Sequence, residues 1–205
     1  MSLTSSSIIQ EVKKKCDSGL ALMSYYYFDF RDTRKQDIRG LLASLLAQLC
    51  AESDACHDIL SGLYSKNNAG SRQPDISSLK ECLKEMIQLP RQPAVYIIVD
   101  ALDECPNSGF LNTARDKVLD FLEELLELDI PNLRICATSR PEANIRDVLE
   151  PLTSHHMSLH DETGQKEDIL EYIKSVVLTD RKMRKWSPED KQLVIDTLSA
   201  KADGM

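Results

Sequence analysis

Asp100, Asp103 and Glu104 place three carboxylates within five residues, directly behind the apolar run Ala94-Val95-Tyr96-Ile97-Ile98-Val99, and Arg140 follows a second short apolar run. Like charges this close repel unless something offsets them. A hydrated Mg²⁺ bound to a phosphate chain suits them, because that ion takes one or two protein carboxylates and keeps several waters. Burying an ionised carboxylate is costly, so all three acids are expected at the carboxyl end of a strand, facing water, a cation or a partner. Arg140, two residues past the second run and ahead of Pro141, falls at the same edge. The plainer alternatives are a strand that gives way to a polar loop and an ordinary surface arginine.

Two strands must therefore carry the chemistry. The run at 94–99 is too short to span a membrane, and β-branched Val95, Ile97, Ile98 and Val99 favour a strand buried on both faces. Residues 133–138, Leu-Arg-Ile-Cys-Ala-Thr, read as a second buried strand. A third is expected over 20–30, where Tyr25, Tyr26, Tyr27, Phe28 and Phe30 are better sheet core than a base-stacking platform in an acidic chain. His156 to His160 reads as one more, with Met157 and Leu159 pointing one way.

Between the strands the period changes to three and four. A helix is expected over 5–17, with Ser5 or Ser6 as cap and Gly19 beyond its end. Thr33-x-x-Gln36 has the form of a capping box ahead of Ile38, Leu41, Leu42, Leu45, Leu46 and Leu49, and Ser78-x-x-Glu81 of another ahead of Leu79, Cys82, Leu83, Met86 and Ile87. Further helices are expected over 54–64 and 111–128, after Pro141, after Thr163 and from Ser187-Pro188, with loops over 66–74 and 105–109. Strands alternating with helical crossovers predict an α/β fold: a parallel sheet sandwiched by helices, with further helices at the C-terminus. The expected division is an α/β core over 1–160 and the start of a helical region over 161–205.

Composition narrows the function. The net charge of the 205 residues is −8 and no long Lys/Arg block occurs, which disfavours a nucleic-acid groove. No segment approaches the roughly 20 apolar residues of a spanning helix, and the polar N-terminus lacks the apolar core of a signal peptide, so a cytoplasmic protein without membrane contact is expected. Cys16, Cys50, Cys56, Cys82, Cys105 and Cys136 are scattered without a C-x-x-C pair, and reduced, mostly buried thiols are expected. His155, His156 and His160 lack matching ligand spacing and read as a solvated loop leading into a strand.

The stretch Tyr96-Ile97-Ile98-Val99-Asp100-Ala101-Leu102-Asp103-Glu104 resembles the Walker B motif of NACHT-type signalling NTPases of the P-loop superfamily: four apolar residues, Asp, a small residue, an apolar residue and two acids. Ile135-Cys136-Ala137-Thr138-Ser139-Arg140-Pro141 resembles the sensor strand of the same family and its arginine. Tyr27-Phe28-Asp29-Phe30 and the closing Lys201-Ala202-Asp203-Gly204-Met205 are similar to fungal NACHT proteins that carry ankyrin or WD repeats downstream. The resemblance implies that Asp100 helps to hold Mg²⁺ and that Asp103 and Glu104 polarise or position the attacking water. It also implies that Arg140 senses or stabilises the γ-phosphate of ATP or GTP. An upstream effector domain and downstream repeats are implied for the parent protein. Such roles fit phosphoryl transfer, which is mainly positioning and charge neutralisation.

One part of that pattern is absent. The glycines lie at 19, 40, 62, 70, 109, 164 and 204, and no G-x-x-x-x-G-K-[ST] loop occurs. The family places that loop immediately before the helix that begins near Ser5, so the resemblance implies either a polypeptide cut just after it or a gene model missing its first strand. Losing three charge-assisted hydrogen bonds to a triphosphate forfeits about 4.5 to 9 kcal/mol at roughly 1.5 to 3 kcal/mol each. At about 1.4 kcal/mol per decade, affinity then falls roughly a thousandfold or more. The expectation is a fragment of a nucleotide-dependent switch, with slow hydrolysis in the parent and no competence alone. A non-catalytic scaffold and a metal-dependent phosphodiester hydrolase using Asp100, Asp103 and Glu104 are the alternatives. An α/β fragment lacking its first strand is also expected to offer an exposed sheet edge to a second copy.

Overall fold

The most apolar run becomes the central strand. β1 (Ala21–Tyr27), β2 (Ala94–Asp100) and β3 (Leu133–Ala137) form a parallel sheet in the order β1-β2-β3. Its register sets Tyr27 opposite Asp100 and Val99 opposite Ala137. The computed structural model describes residues 3–67, 69–108, 112–157 and 163–201. The chain divides into two units, Met1–Thr153 and Ser154–Met205.

The period-2 alternation of β2 distributes its side chains between two cores. Val95, Ile97 and Val99 join Leu22 and Tyr26 against α2 (Ile38–Glu52), α4 (Ile76–Ile87) and α5 (Ala114–Glu127). On the opposite face Ile98 packs with Met23 and with Val12 of α1 (Leu3–Asp17). Helices thus cover both faces of a parallel sheet, which makes this an α/β fold. α3 (Asp54–Lys66) and the short α6 (Ala143–Leu149) complete the first unit.

The two sheet edges differ. Along β1, Glu52 accepts a hydrogen bond from Met23 N at 3.0 Å, and Gln48 clasps Tyr25, accepting from its N–H at 3.1 Å and donating to its carbonyl at 2.8 Å. Side chains of α2 therefore occupy the positions a further strand would need. Along β3, Arg134 folds back onto the carbonyls of Pro131 and Leu133. The outward main-chain groups of Ile135 and Ala137 have no partner among the described residues.

Close packing of α2 depends on Gly40. A Cβ there would lie 2.6 Å from Arg34 O and 2.7 Å from Tyr26 Oη, whose hydroxyl donates to that same carbonyl at 3.3 Å. Gly40→Ala is expected to cost a net of up to about 2 kcal/mol in urea unfolding. Overpacking of about 1 to 3 kcal/mol exceeds the roughly 1 kcal/mol that alanine gains in a helix. An unchanged or raised urea midpoint would show that α2 has room to shift.

Several local expectations are corrected. The strand expected over 20–30 stops at Tyr27, and Phe30 lies exposed in the loop behind it. Thr33 does not cap α2: Thr33–Lys35 is a separate 3₁₀ turn capped by Asp32, and Asp37 caps α2 by accepting from Gly40 N. Likewise Asp75, not Ser78, caps α4, accepting from Ser78 N at 2.7 Å. In both cases an aspartate nearer the true start offers a charged acceptor to the free N–H groups. α5 begins at Ala114 with Thr113 and Asp116 forming its capping box, later than expected. The strand expected from His156 to His160 falls largely outside the described residues.

In the second unit α7 (Thr163–Thr179) packs on α8 (Pro188–Lys201), with Val177 and Ile195 buried. Ser187 caps α8 as its sequence suggests, accepting from Asp190 N at 3.1 Å. Tyr172, Leu178, Leu193 and Leu198 are exposed. Among the described residues no helix is long and apolar enough to cross a membrane.

Candidate functional site

The sheet order brings the ends of β2 and β3 side by side, so the acids behind one and the arginine behind the other share an edge. Asp100 is the last residue of β2 and is 2 % exposed. As an even-numbered residue of β2 it shares the face of Tyr96 and Ile98, the face covered by α1. Its Oδ1 accepts hydrogen bonds from Ser5 Oγ of α1 at 2.5 Å and from Thr138 Oγ1, just past β3, at 2.6 Å. Burial raises the pKa values of Tyr27 and Cys136, and the nearby charge of Asp100 adds to both shifts.

The chain then turns sharply. Ala101 adopts the left-handed conformation with φ 58° and ψ 50°. That region is costly for a residue with a Cβ and persists where the surroundings over-determine it. Here Thr138 supplies the constraint: Ala101 N donates to Thr138 Oγ1 at 3.1 Å, Leu102 N donates to Thr138 O at 3.0 Å, and Thr138 N donates to Val99 O at 2.9 Å.

The 3₁₀ turn Leu102–Glu104 carries the other two acids to a different place. Asp103, with its side chain 10 % exposed, accepts from Arg140 N at 3.0 Å and faces Arg140 Nε at 3.4 Å. The Arg140 side chain is 82 % exposed, so solvent screens the ionic part of this contact. Glu104 accepts from Phe30 N at 3.3 Å, tying the turn to the loop behind β1. Asp103, Glu104 and Arg140 all line an open cleft of about 390 Å³, together with Phe30, Arg115 and Glu142. Asp100 does not line it.

The structure therefore brings Asp103, Glu104 and Arg140 to one cleft and sets Asp100 behind them with two hydroxyls. Ser5 entered the sequence reading only as a cap, and Thr138 only as the end of a strand. Nothing in the spacing showed that both would bond Asp100. Arg115, 4 % exposed at the start of α5, was missed entirely because an arginine in the first turn of a helix reads as surface. Cys105 beside the acids is no nucleophile: burial pushes its thiol up to about 12, and the thiolate is the reactive form.

A carboxylate and a hydroxyl are both hard oxygen donors, so Asp100 and Ser5 fit Mg²⁺ by chemistry. Among the described residues no group of three or more His, Cys, Asp or Glu side chains is placed to hold a metal, and all six cysteines are free. An Mg²⁺ here would be completed by water and phosphate oxygens, the way this ion is commonly held.

Fold and site together define an α/β domain with an acidic turn and an arginine at the carboxyl edge of its parallel sheet. A sequence profile described as nephrocystin 3, N-terminal, matches residues 2–140, two thirds of the chain and the whole of that edge. The chain belongs to this family. No curated protein and no solved structure matches it.

Proposed function

We propose that this domain is part of a nucleotide-dependent signalling switch of the NACHT-like kind, carrying the cation-binding acid and the phosphate-sensing arginine of a site for ATP or GTP. The observation that carries the reading is the shared edge. A buried aspartate sits at the end of the central strand beside a helix hydroxyl, and an acid and an exposed arginine engage each other across the ends of β2 and β3.

In this reading Asp100 and Ser5 hold Mg²⁺, which neutralises charge on the phosphate oxygens. Arg140, loosely paired with Asp103, is available to turn toward a γ-phosphate. Asp103 and Glu104 orient the attacking water. Phosphate-dependent exchange of Arg140 between Asp103 and nucleotide gives the domain two states, which the helices after the core read out. The parent polypeptide supplies the phosphate loop upstream of α1, together with an effector domain and downstream repeats. The outward main-chain groups of Ile135 and Ala137, without a partner among the described residues, offer a second copy a place to pair.

A specific observation also favours a second reading. Asp100 is already satisfied by Ser5 and Thr138, and Asp103 by Arg140, as in a domain that holds its shape without nucleotide and serves as an assembly scaffold. Titration of Mg²⁺-ATP and Mg²⁺-GTP separates the two. The chain extended upstream through a phosphate loop is expected to bind, and residues 1–205 alone to bind about a thousandfold more weakly or worse. Absence of binding by the extended protein would leave the scaffold reading in place.

A further inference from the structure

Arg115 occupies an environment that a surface arginine does not explain. Its guanidinium is almost fully buried, which is costly unless every donor is matched. Each of its three nitrogens has an acceptor. Nε donates to Cys105 O at 3.0 Å, one terminal nitrogen to Asp103 O at 2.5 Å, and the other to the Glu142 carboxylate, with Asn144 Oδ1 at 3.4 Å. The first two acceptors lie on the main chain of the acidic turn. The last two lie just past β3, beyond Arg140.

These bonds close a ring. Arg115 binds the carbonyl of Asp103, whose carboxylate binds Arg140 N. The carbonyl of Arg140 accepts from Glu142 N at 2.8 Å, and the Glu142 carboxylate returns to Arg115. The last backbone bond between the two segments is Leu102 N to Thr138 O, so this ring holds the two loops together past the end of the ladder.

We propose that Arg115 is the positioning residue of the site: by gripping the acidic turn and the segment after β3 at once, it fixes the spacing between Asp103 and Arg140. Among the described residues Arg115 makes no hydrogen bond or ion pair to the Asp103 carboxylate or the Arg140 side chain, so it acts through the backbone that carries them. A planar fork with five donors can bridge the acceptors on both segments simultaneously, whereas a lysine ammonium on a flexible stem cannot hold them at fixed separation. The proposal deepens the nucleotide-switch reading, in which this spacing sets how readily Arg140 leaves Asp103.

The test is amide hydrogen exchange on residues 1–205 and needs no nucleotide, so its failure is distinguishable from failure of the switch reading. In Arg115→Lys the amide of Arg140, which donates to Asp103, is expected to exchange about tenfold faster, a shift of roughly 1.4 kcal/mol. The amide of Thr138, which donates to Val99 within the ladder, is expected to be unchanged. Equal acceleration of both amides would show a merely structural arginine, and no change at Arg140 would show that the ring does not set the spacing. Either result overturns the proposal. Should Arg115→Lys fail to fold, Glu142→Gln, which removes the ionic leg and keeps the backbone, decides by the same comparison.

Discussion

Asp100→Ala is expected to lower the unfolding free energy by about 2 to 5 kcal/mol, because it strips the acceptor from two hydroxyls, each costing about 1 to 3 kcal/mol when left unpaired. The hydroxyls are those of Ser5 and Thr138, and both bonds come from elements remote in sequence. Removing a buried charge recovers part of the loss, since the carboxylate itself is desolvated. Asp100→Asn isolates that offset: it keeps an acceptor oxygen and is expected to stay within about 1 kcal/mol of the unaltered protein. Urea unfolding of the two variants reads the difference. Equal stability of Asp100→Ala and Asp100→Asn would mean that the hydroxyl bonds contribute little, and that the acid is not structurally anchored.

The largest purely structural effect is expected at Phe121, the bulkiest of the fully buried side chains, which joins the main core from α5. Phe121→Ala is expected to cost about 3 to 5 kcal/mol, the transfer term plus the cavity left behind. At roughly 2 to 4 °C per kcal/mol for a chain of this size, the thermal midpoint should fall by about 6 to 20 °C. Lys80 also loses the ring beneath its ammonium, 5.5 Å from the centroid. The control is Tyr172→Ala on exposed α7, expected within about 0.5 kcal/mol. Comparable losses at both positions would contradict the assignment of the core. Since α5 also carries Arg115, Phe121→Ala should loosen the acidic turn before the unit unfolds.

What was legible in the sequence follows from what pattern can encode. The β-branched run of β2, the period of α2 and the order of elements report burial, and burial is what decides an α/β sandwich. Asp100 at the strand end and Arg140 behind the next strand were also readable, because a parallel sheet places successive strand ends on one edge. Helix starts were less so. Thr33 and Ser78 have the right spacing to an acid or amide three residues on, yet the helices start elsewhere, where Asp37 accepts from Gly40 N and Asp75 from Ser78 N. The partition of the acids was not visible at all. Asp100 and Asp103 are three apart in sequence, but the left-handed turn at Ala101 sends one under α1 and the other into the cleft with Arg140. Ser5, Thr138 and Arg115 escaped for a related reason: each acts through a tertiary contact, and a hydroxyl or guanidinium in a helix or at a strand end carries no local signature of its distant partner.

The proposed switch requires Asp100 to hold a cation at a nucleotide site. Calorimetric titration of Mg²⁺-ATP into a protein extended upstream through a phosphate loop, unaltered and as Asp100→Asn, tests it most directly. The expected result is Mg²⁺-dependent binding that Asp100→Asn weakens at least about tenfold, a loss of roughly 1.4 kcal/mol or more, with stability preserved. Binding of equal strength and equal Mg²⁺ dependence in the two proteins would contradict it.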